Sequence, residues 1–281
     1  MSDMRATLVS RGPIRLADHP TDDTPGFTGD RKEAEKHLPK IGADLMDLQE
    51  KLFANGRAGT TDRKVLLLLQ GMDTSGKGGV QRHVAGLVDP QGLAMTAFKA
   101  PTKEELSHDF LWRVEKALPQ AGMIGVFDRS QYEDVLIGRV RELAPKDEIE
   151  RRYGAINEFE AAFVEGGGVL LKCFLHISAD DQRKRLAERL DDPTKYWKYN
   201  PGDLDERALW PQYQEAYEIA LERCSTEAAP WYVVPAGRKW YRNWAIATLL
   251  AETLGDLGLE WPPPDFDVEV EKKRLEASVV E

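Results

Sequence analysis

Cysteine is nearly absent. The 281 residues hold two, Cys173 and Cys224, in no CxxC or metal-ligand spacing, so neither a zinc site nor a disulfide framework is expected. Long apolar runs are missing as well: the densest, Val65–Leu69, is far too short to span a bilayer. Met1–Ser10 carries no apolar stretch longer than Leu8-Val9 and no small-residue cleavage pattern. A cytoplasmic protein without membrane association is the expectation. Positive charge is in deficit, with 38 Lys and Arg against 48 Asp and Glu and a formal net charge of −10. A general nucleic-acid binder held by a basic surface is therefore not expected. Any polyanionic ligand needs a local cluster of cations.

Hydrophobic residues make up 42% of the chain, enough for a sizeable core. Residues 1–30 are polar, rich in Asp, Pro and Thr, and without a sustained period, which predicts an extended arm. From Arg31 to Phe53, Leu38, Ile41, Leu45, Leu48 and Leu52 recur at helical spacing, with Gly56 as the stop. Strand and helix patterns then alternate. Strands are predicted at Val65–Leu69, Ala94–Phe98, Met123–Phe127, Val169–Ile177 and Trp231–Val234. Helices are predicted along Val80–Val88, from the Thr102/Glu105 capping pattern to Pro119, near Ile149–Val164, and over 179–190, 207–223 and 240–257. The tail beyond Trp261 opens with three prolines and turns charged. Such alternation predicts an α/β fold, a parallel sheet of about five strands flanked by helices. In such sheets ligands bind at the carboxyl ends of strands.

Two motifs lie at strand ends. Gly71-Met72-Asp73-Thr74-Ser75-Gly76-Lys77-Gly78 follows a buried strand and precedes a helix, the setting that a GxxxxGK phosphate loop requires. Glycines let backbone N–H groups turn inward around phosphate oxygens, the helix adds its positive end, and Lys77 supplies a charge. The Ser or Thr whose hydroxyl usually binds Mg²⁺ is replaced by Gly78, and Asp73 inside the loop offers an oxygen instead. The second motif, Val126-Phe127-Asp128-Arg129-Ser130, ends an apolar strand in a carboxylate and a guanidinium. An Asp at such a strand end holds Mg²⁺ in phosphate-loop enzymes, and Mg²⁺ commonly uses one or two carboxylates plus phosphates. Asp73 and Asp128 fit that number, with Arg129 free to steady a transferring group. The bland alternative is an Asp that caps the next helix.

Residues 183–198 hold six basic and three acidic side chains, against the sign of the whole chain. Arg185 and Arg189 are four apart and share a helix face. The segment reads either as a solvated helix face or as a lid over the phosphate loop. The expected phosphate cradle is thus Gly71, Ser75, Gly76, Lys77, Gly78 and Gly79, joined by Arg185, Arg189, Lys195 and Lys198 from the lid.

GMDTSGKGG (71–79), FDRSQYEDVL (127–136), the Arg-rich run through DDPTKYWK (191–198) and PWYVVPAGRKWYRNW (230–244) together resemble the polyphosphate kinase 2 family, from about residue 30 to about 257. The resemblance implies a P-loop kinase domain over 31–257 with a helical lid at about 179–207, between the arm (1–30) and a tail (258–281). It implies Asp73, Lys77, Asp128 and Arg129 as the catalytic set, with Asp73 and Asp128 around Mg²⁺. It further implies a tunnel for inorganic polyphosphate, a nucleotide partner (ADP, AMP or guanine nucleotides) and a homo-oligomer, dimer or tetramer. DFLWRV (109–114) and KWYRNW (239–244) look like the group that accepts both mono- and diphosphates. Two other readings stay open: an ATP-dependent nucleoside monophosphate kinase, and a non-catalytic nucleotide-binding switch.

Overall fold

The computed structural model describes residues 3–278. Its centre is a five-stranded, wholly parallel sheet of β1 (Lys64–Gln70), β2 (Leu93–Ala97), β3 (Ile124–Asp128), β4 (Gly168–His176) and β5 (Trp231–Pro235), in the order β2-β3-β1-β4-β5. β1 is the middle strand because it can be: Val65–Gln70 are buried on both faces, and branched and aliphatic side chains suit that position. Leu69 pairs with Asp128 on one side and Cys173 on the other, so the ends of β1 and β3 stand side by side.

Side chains alternate across each strand. On β4, Lys172 and Phe174 meet α6 (Lys146–Glu165) and α9 (Trp210–Arg223) through Glu160 and Tyr217. A long, mostly buried helix, α10 (Lys239–Gly255), packs on β4 and β5, with α2 (Arg31–Ala58) against it. Among the described residues no helix is long and apolar enough to cross a membrane.

Several elements differ from expectation. α2 runs through Gly56 and ends at Gly59, whose φ of 68° makes the left-handed cap. Gly56 is a packing glycine: a Cβ there would lie 2.5 Å from the Gly122 Cα. The Thr102/Glu105 capping bonds form at 2.6 and 3.2 Å, yet they start only a 3-10 turn, Glu105–Ser107. The Asp109 carboxylate then accepts from Leu111 N in a turn that precedes a one-turn helix, Trp112–Glu115, which no side chain caps. The helix expected to Val88 stops at His83 and passes into a 3-10 turn.

Residues 3–27, expected as an extended arm, contain a helical turn, α1 (Met4–Leu8), and place Met4, Leu8, Leu16 and Phe27 in the core. Val9 bridges antiparallel to Tyr232 at the sheet edge. The charged tail forms α11 (Val268–Glu276), which buries nothing.

Candidate functional site

The loop after β1 turns through Gly71 (φ 149°) and Gly76 (φ 108°), values an L side chain rarely adopts. It runs directly into α3 (Lys77–His83), so the first amide groups of that helix face the loop's concavity. Lys77 is largely buried and folds back across the loop, its Nζ donating to Gly71 O at 2.7 Å. Ser75 is fully buried, and its Oγ has no hydrogen-bond partner. Thr74 and Arg129 both take positive φ, 68° and 64°, unusual for residues with a Cβ and found where structure is held for function.

Register carries the second motif to the first. Arg129 N donates to Leu69 O at 3.0 Å, which seats Arg129 beside the loop. Its Nη2 pairs with Asp73 Oδ1 at 3.1 Å, and its Nε lies 4.0 Å from Glu133. Burial would lower the Arg129 guanidinium, but Glu133 and Asp73 outweigh it and hold the group above its usual range. The Glu133 carboxyl is pushed up by burial, partly opposed by Arg129 and Lys77. Asp128 Oδ2 accepts from Gln81 Nε2 of α3 at 3.0 Å. Below the pair, Ser130 Oγ accepts from Gln70 Nε2, and Tyr132 and Gln131 donate to the fully buried Glu160.

Gly71, Asp73, Arg129 and Glu133 open onto a cavity of about 230 Å³, closed on its far side by Asp203 and Glu206 of α8 (Gly202–Arg207) and by Tyr213 and Tyr217 of α9. Asp203 is paired with Arg189, and Glu206 with Arg141. Asp73 and Glu133 thus share one guanidinium, which leaves carboxylate oxygen in excess on the loop side. Among the described residues no group of three or more His, Cys, Asp or Glu forms a cage for a metal. Asp73 and Asp128 suit a hard cation that completes its shell with phosphate oxygens and water, as Mg²⁺ does.

The lid arginines are placed differently from expectation. Arg185, on α7 (Ala179–Asp191), is buried behind the loop and gives its hydrogens to four carbonyls: Thr74 at 2.9 Å, Ser75 at 3.2 Å, Ala236 at 2.6 Å and Gly237 at 3.0 Å. It is a brace between the phosphate loop and the end of β5. Arg189 bonds Lys198 O and Asp203, tying α7 to α8. Lys195 pairs with Asp192 inside the turn Pro193–Lys198, and Lys198 lies over the ring of the exposed Trp197. Gly78 and Gly79 lie in the first turn of α3; around Gly78 there is open space, while a Cβ on Gly79 would meet Arg242.

Four participants escaped the sequence reading. Glu133 lies within 127–136 with only its acidity to mark it. Asp203 and Glu206 sit in a six-residue helix with no apolar period to mark it. Arg242, 3% exposed, lies beneath the loop and donates to Ser75 O. A signal existed for it: the one charged residue in the otherwise uncharged, mostly apolar run Trp240–Leu250 of α10.

Comparison with known proteins bears on this geometry. The family model described as Polyphosphate kinase 2 matches residues 28–257. The AMP/ADP-polyphosphate phosphotransferase of Meiothermus ruber is 46% identical over 254 residues, 90% of this chain and 93% of its own. The ADP-polyphosphate phosphotransferase of Rhodopseudomonas palustris is 43% identical over 230 residues, 78% of each chain. The crystal structure of Polyphosphate Kinase 2 from Arthrobacter aurescens TC1 superposes with a TM-score of 0.94 at 54% identity, covering 96% of this chain and 95% of that one.

Proposed function

The chain belongs to the polyphosphate kinase 2 family, and from that membership we propose how its residues work and which acceptors it takes. The enzyme is a polyphosphate-dependent nucleotide kinase that moves phosphate reversibly between inorganic polyphosphate and nucleotides. The observation that carries the residue assignment is the meeting of Asp73, Lys77 and Arg129 at the adjoining ends of β1 and β3.

One phosphoanhydride is exchanged for another, so catalysis is positioning and charge neutralisation. The turned backbone at Gly71, Ser75, Gly76, Gly78 and Gly79 and the start of α3 cradle a phosphate. Lys77 exchanges the Gly71 carbonyl for a phosphate oxygen. Arg129, held by Asp73 and Glu133, steadies the charge of the transferring group. Asp73 and Asp128 would hold Mg²⁺, which when bound supplies further neutralisation of the phosphate chain. Arg189 keeps α7 and α8 together as a lid in which Lys198 supplies exposed positive charge and Lys195 would have to leave Asp192 to reach a phosphate. Arg185 supports the loop from behind rather than reaching the ligand.

The acceptors are AMP and ADP, with one strongly preferred; the similar Meiothermus ruber protein is an AMP/ADP-polyphosphate phosphotransferase. Guanine nucleotides are a further candidate. The working unit is the kinase domain over 31–257 together with the stretch 4–27 that packs into its core, with the lid at about 179–207, assembled as a dimer or tetramer in the cytoplasm. Light scattering tests the assembly. The deciding assay incubates protein, Mg²⁺, polyphosphate and ADP or AMP without ATP, and separates nucleotides by chromatography. Phosphorylated nucleotide is expected from polyphosphate alone. Product only when ATP or GTP is supplied would instead make it a nucleoside monophosphate kinase.

A further inference from the structure

Arg242 is a buried cation that meets no counter-charge among the described residues. It is the fourth residue of α10 and 3% exposed. Nη1 donates to Ser75 O at 3.3 Å, while Nε and Nη2 donate to the neutral Asn243 Oδ1 at 3.2 and 2.8 Å. Among the described residues it makes no ion pair, and the one charged group that acts on it is another cation, Arg185. Ser75 O accepts from both guanidiniums, at 3.2 Å from Arg185 and 3.3 Å from Arg242. Burial, and then Arg185, push Arg242 down to about 10, still charged near neutral pH.

The loop is built to admit this group. A Cβ on Gly76 would stand 1.8 Å from Arg242 Nη1, and one on Gly79 2.5 Å from Nη2. Two glycines of the phosphate loop therefore leave room for a guanidinium as well as for a ligand. A buried charge without a partner destabilises a fold unless something neutralises it. Here the concave side of the same loop is the place where an anion would sit.

We propose that Arg242 is a positioning residue of the phosphate site: it fixes the Ser75–Gly79 segment from below, and its charge is neutralised by the phosphate chain when that chain binds. The inference rests on the reading of residues 71–79 as the phosphate cradle. It predicts that removing the charge weakens anion binding without weakening the ligand-free fold, because an unpaired buried cation is lost along with its hydrogen bonds.

The experiment compares wild type, Arg242→Met and Arg242→Lys. Three quantities are measured: the ligand-free melting temperature, its rise with tripolyphosphate, and KM and kcat for polyphosphate with ADP. Arg242→Met is expected to melt at or above the wild-type temperature, to lose most of the tripolyphosphate-induced rise, and to raise KM by roughly tenfold or more, the scale of one charge acting at short range. Arg242→Lys should keep most of the rise. Wild-type affinity in Arg242→Met, or equal losses in two folded variants, would overturn the proposal. If Arg242→Met yields no soluble protein, Arg242→Gln takes its place: it keeps a donor for Ser75 O but no charge, and must show the loss that Arg242→Lys does not. Wild type run alongside separates this outcome from the wider reading, since a wild type inactive with polyphosphate would sink the kinase assignment itself.

Discussion

Lys77 rests on the Gly71 carbonyl at 2.7 Å, a bond that a phosphate oxygen can replace at little cost. Lys77→Ala should therefore lower kcat by roughly two orders of magnitude, the size seen when a transition-state charge contact is lost. The fold should lose about 1 kcal/mol, one hydrogen bond. Near wild-type turnover in the purified variant would remove Lys77 from the site. Asp73→Asn and Asp128→Asn test the carboxylates separately, because Asp73 is paired with Arg129 and Asp128 only hydrogen-bonded to Gln81. Each should raise the Mg²⁺ concentration for half-maximal rate; titration curves that superimpose on wild type would leave both carboxylates structural. At this scale the sequence was informative where spacing alone decides position. The GxxxxGK loop and the Asp-Arg strand end needed only two adjacent parallel strands to bring Asp73 and Arg129 together. Arg185 was not legible in the same way. A helical period tells which face a residue is on, but a long side chain then chooses its partner, and Arg185 takes four carbonyls behind the loop.

Among the elements, β4 and α6 are joined by an ion pair sealed from water: Lys172 Nζ contacts Glu160 at 2.5 Å, Tyr132 Oη at 2.9 Å and Cys224 O at 2.7 Å. Glu160→Gln should destabilise the protein by about 3–5 kcal/mol, since it leaves a buried ammonium without its partner. The double variant Lys172→Met/Glu160→Leu should lose less than that single change. Urea denaturation measures both, and a double variant that is the worse of the two would refute the argument. The lid turn Pro193–Lys198 has a different support. Lys195 and Thr194 hold the Asp192 carboxyl down at about 2. A depressed carboxyl contributes above its usual range, near pH 4, and loses that contribution as pH falls through about 2. Trp197 fluorescence, read as wild type minus Trp197→Phe, should stay flat above about pH 4 and change only toward pH 2; a midpoint near pH 4 would show an uncapped turn. The strands were readable because β-type apolar runs ended in turn residues. The helix expected from Thr102 was not: the chain turns extended at His108 and turns again at Asp109 before the one-turn helix Trp112–Glu115.

For the whole molecule, the first stretch of chain belongs to the core. Leu16 is 1% exposed, its N–H donates to Glu218, and its carbonyl accepts from His176. Leu16→Ala should cost about 2–5 kcal/mol in urea, the range of a buried leucine truncation; a loss below about 1 kcal/mol would mark the stretch as peripheral. Polar composition concealed this, since four buried apolar side chains spread over residues 4–27 make no period. The same fastening has a temporal side. Met4 N bonds Glu252, 248 positions further on, and Val9 bridges to Tyr232. At typical ribosomal speeds that interval takes roughly 10–50 s. Throughout it Met4 and Leu8 travel as unburied apolar groups, and no early rearrangement can seat them, because their docking surface has not been made. The stretch holding Met4 and Leu8 therefore cannot close before α10 has emerged, so a nascent chain of this protein offers chaperones those apolar groups throughout the interval.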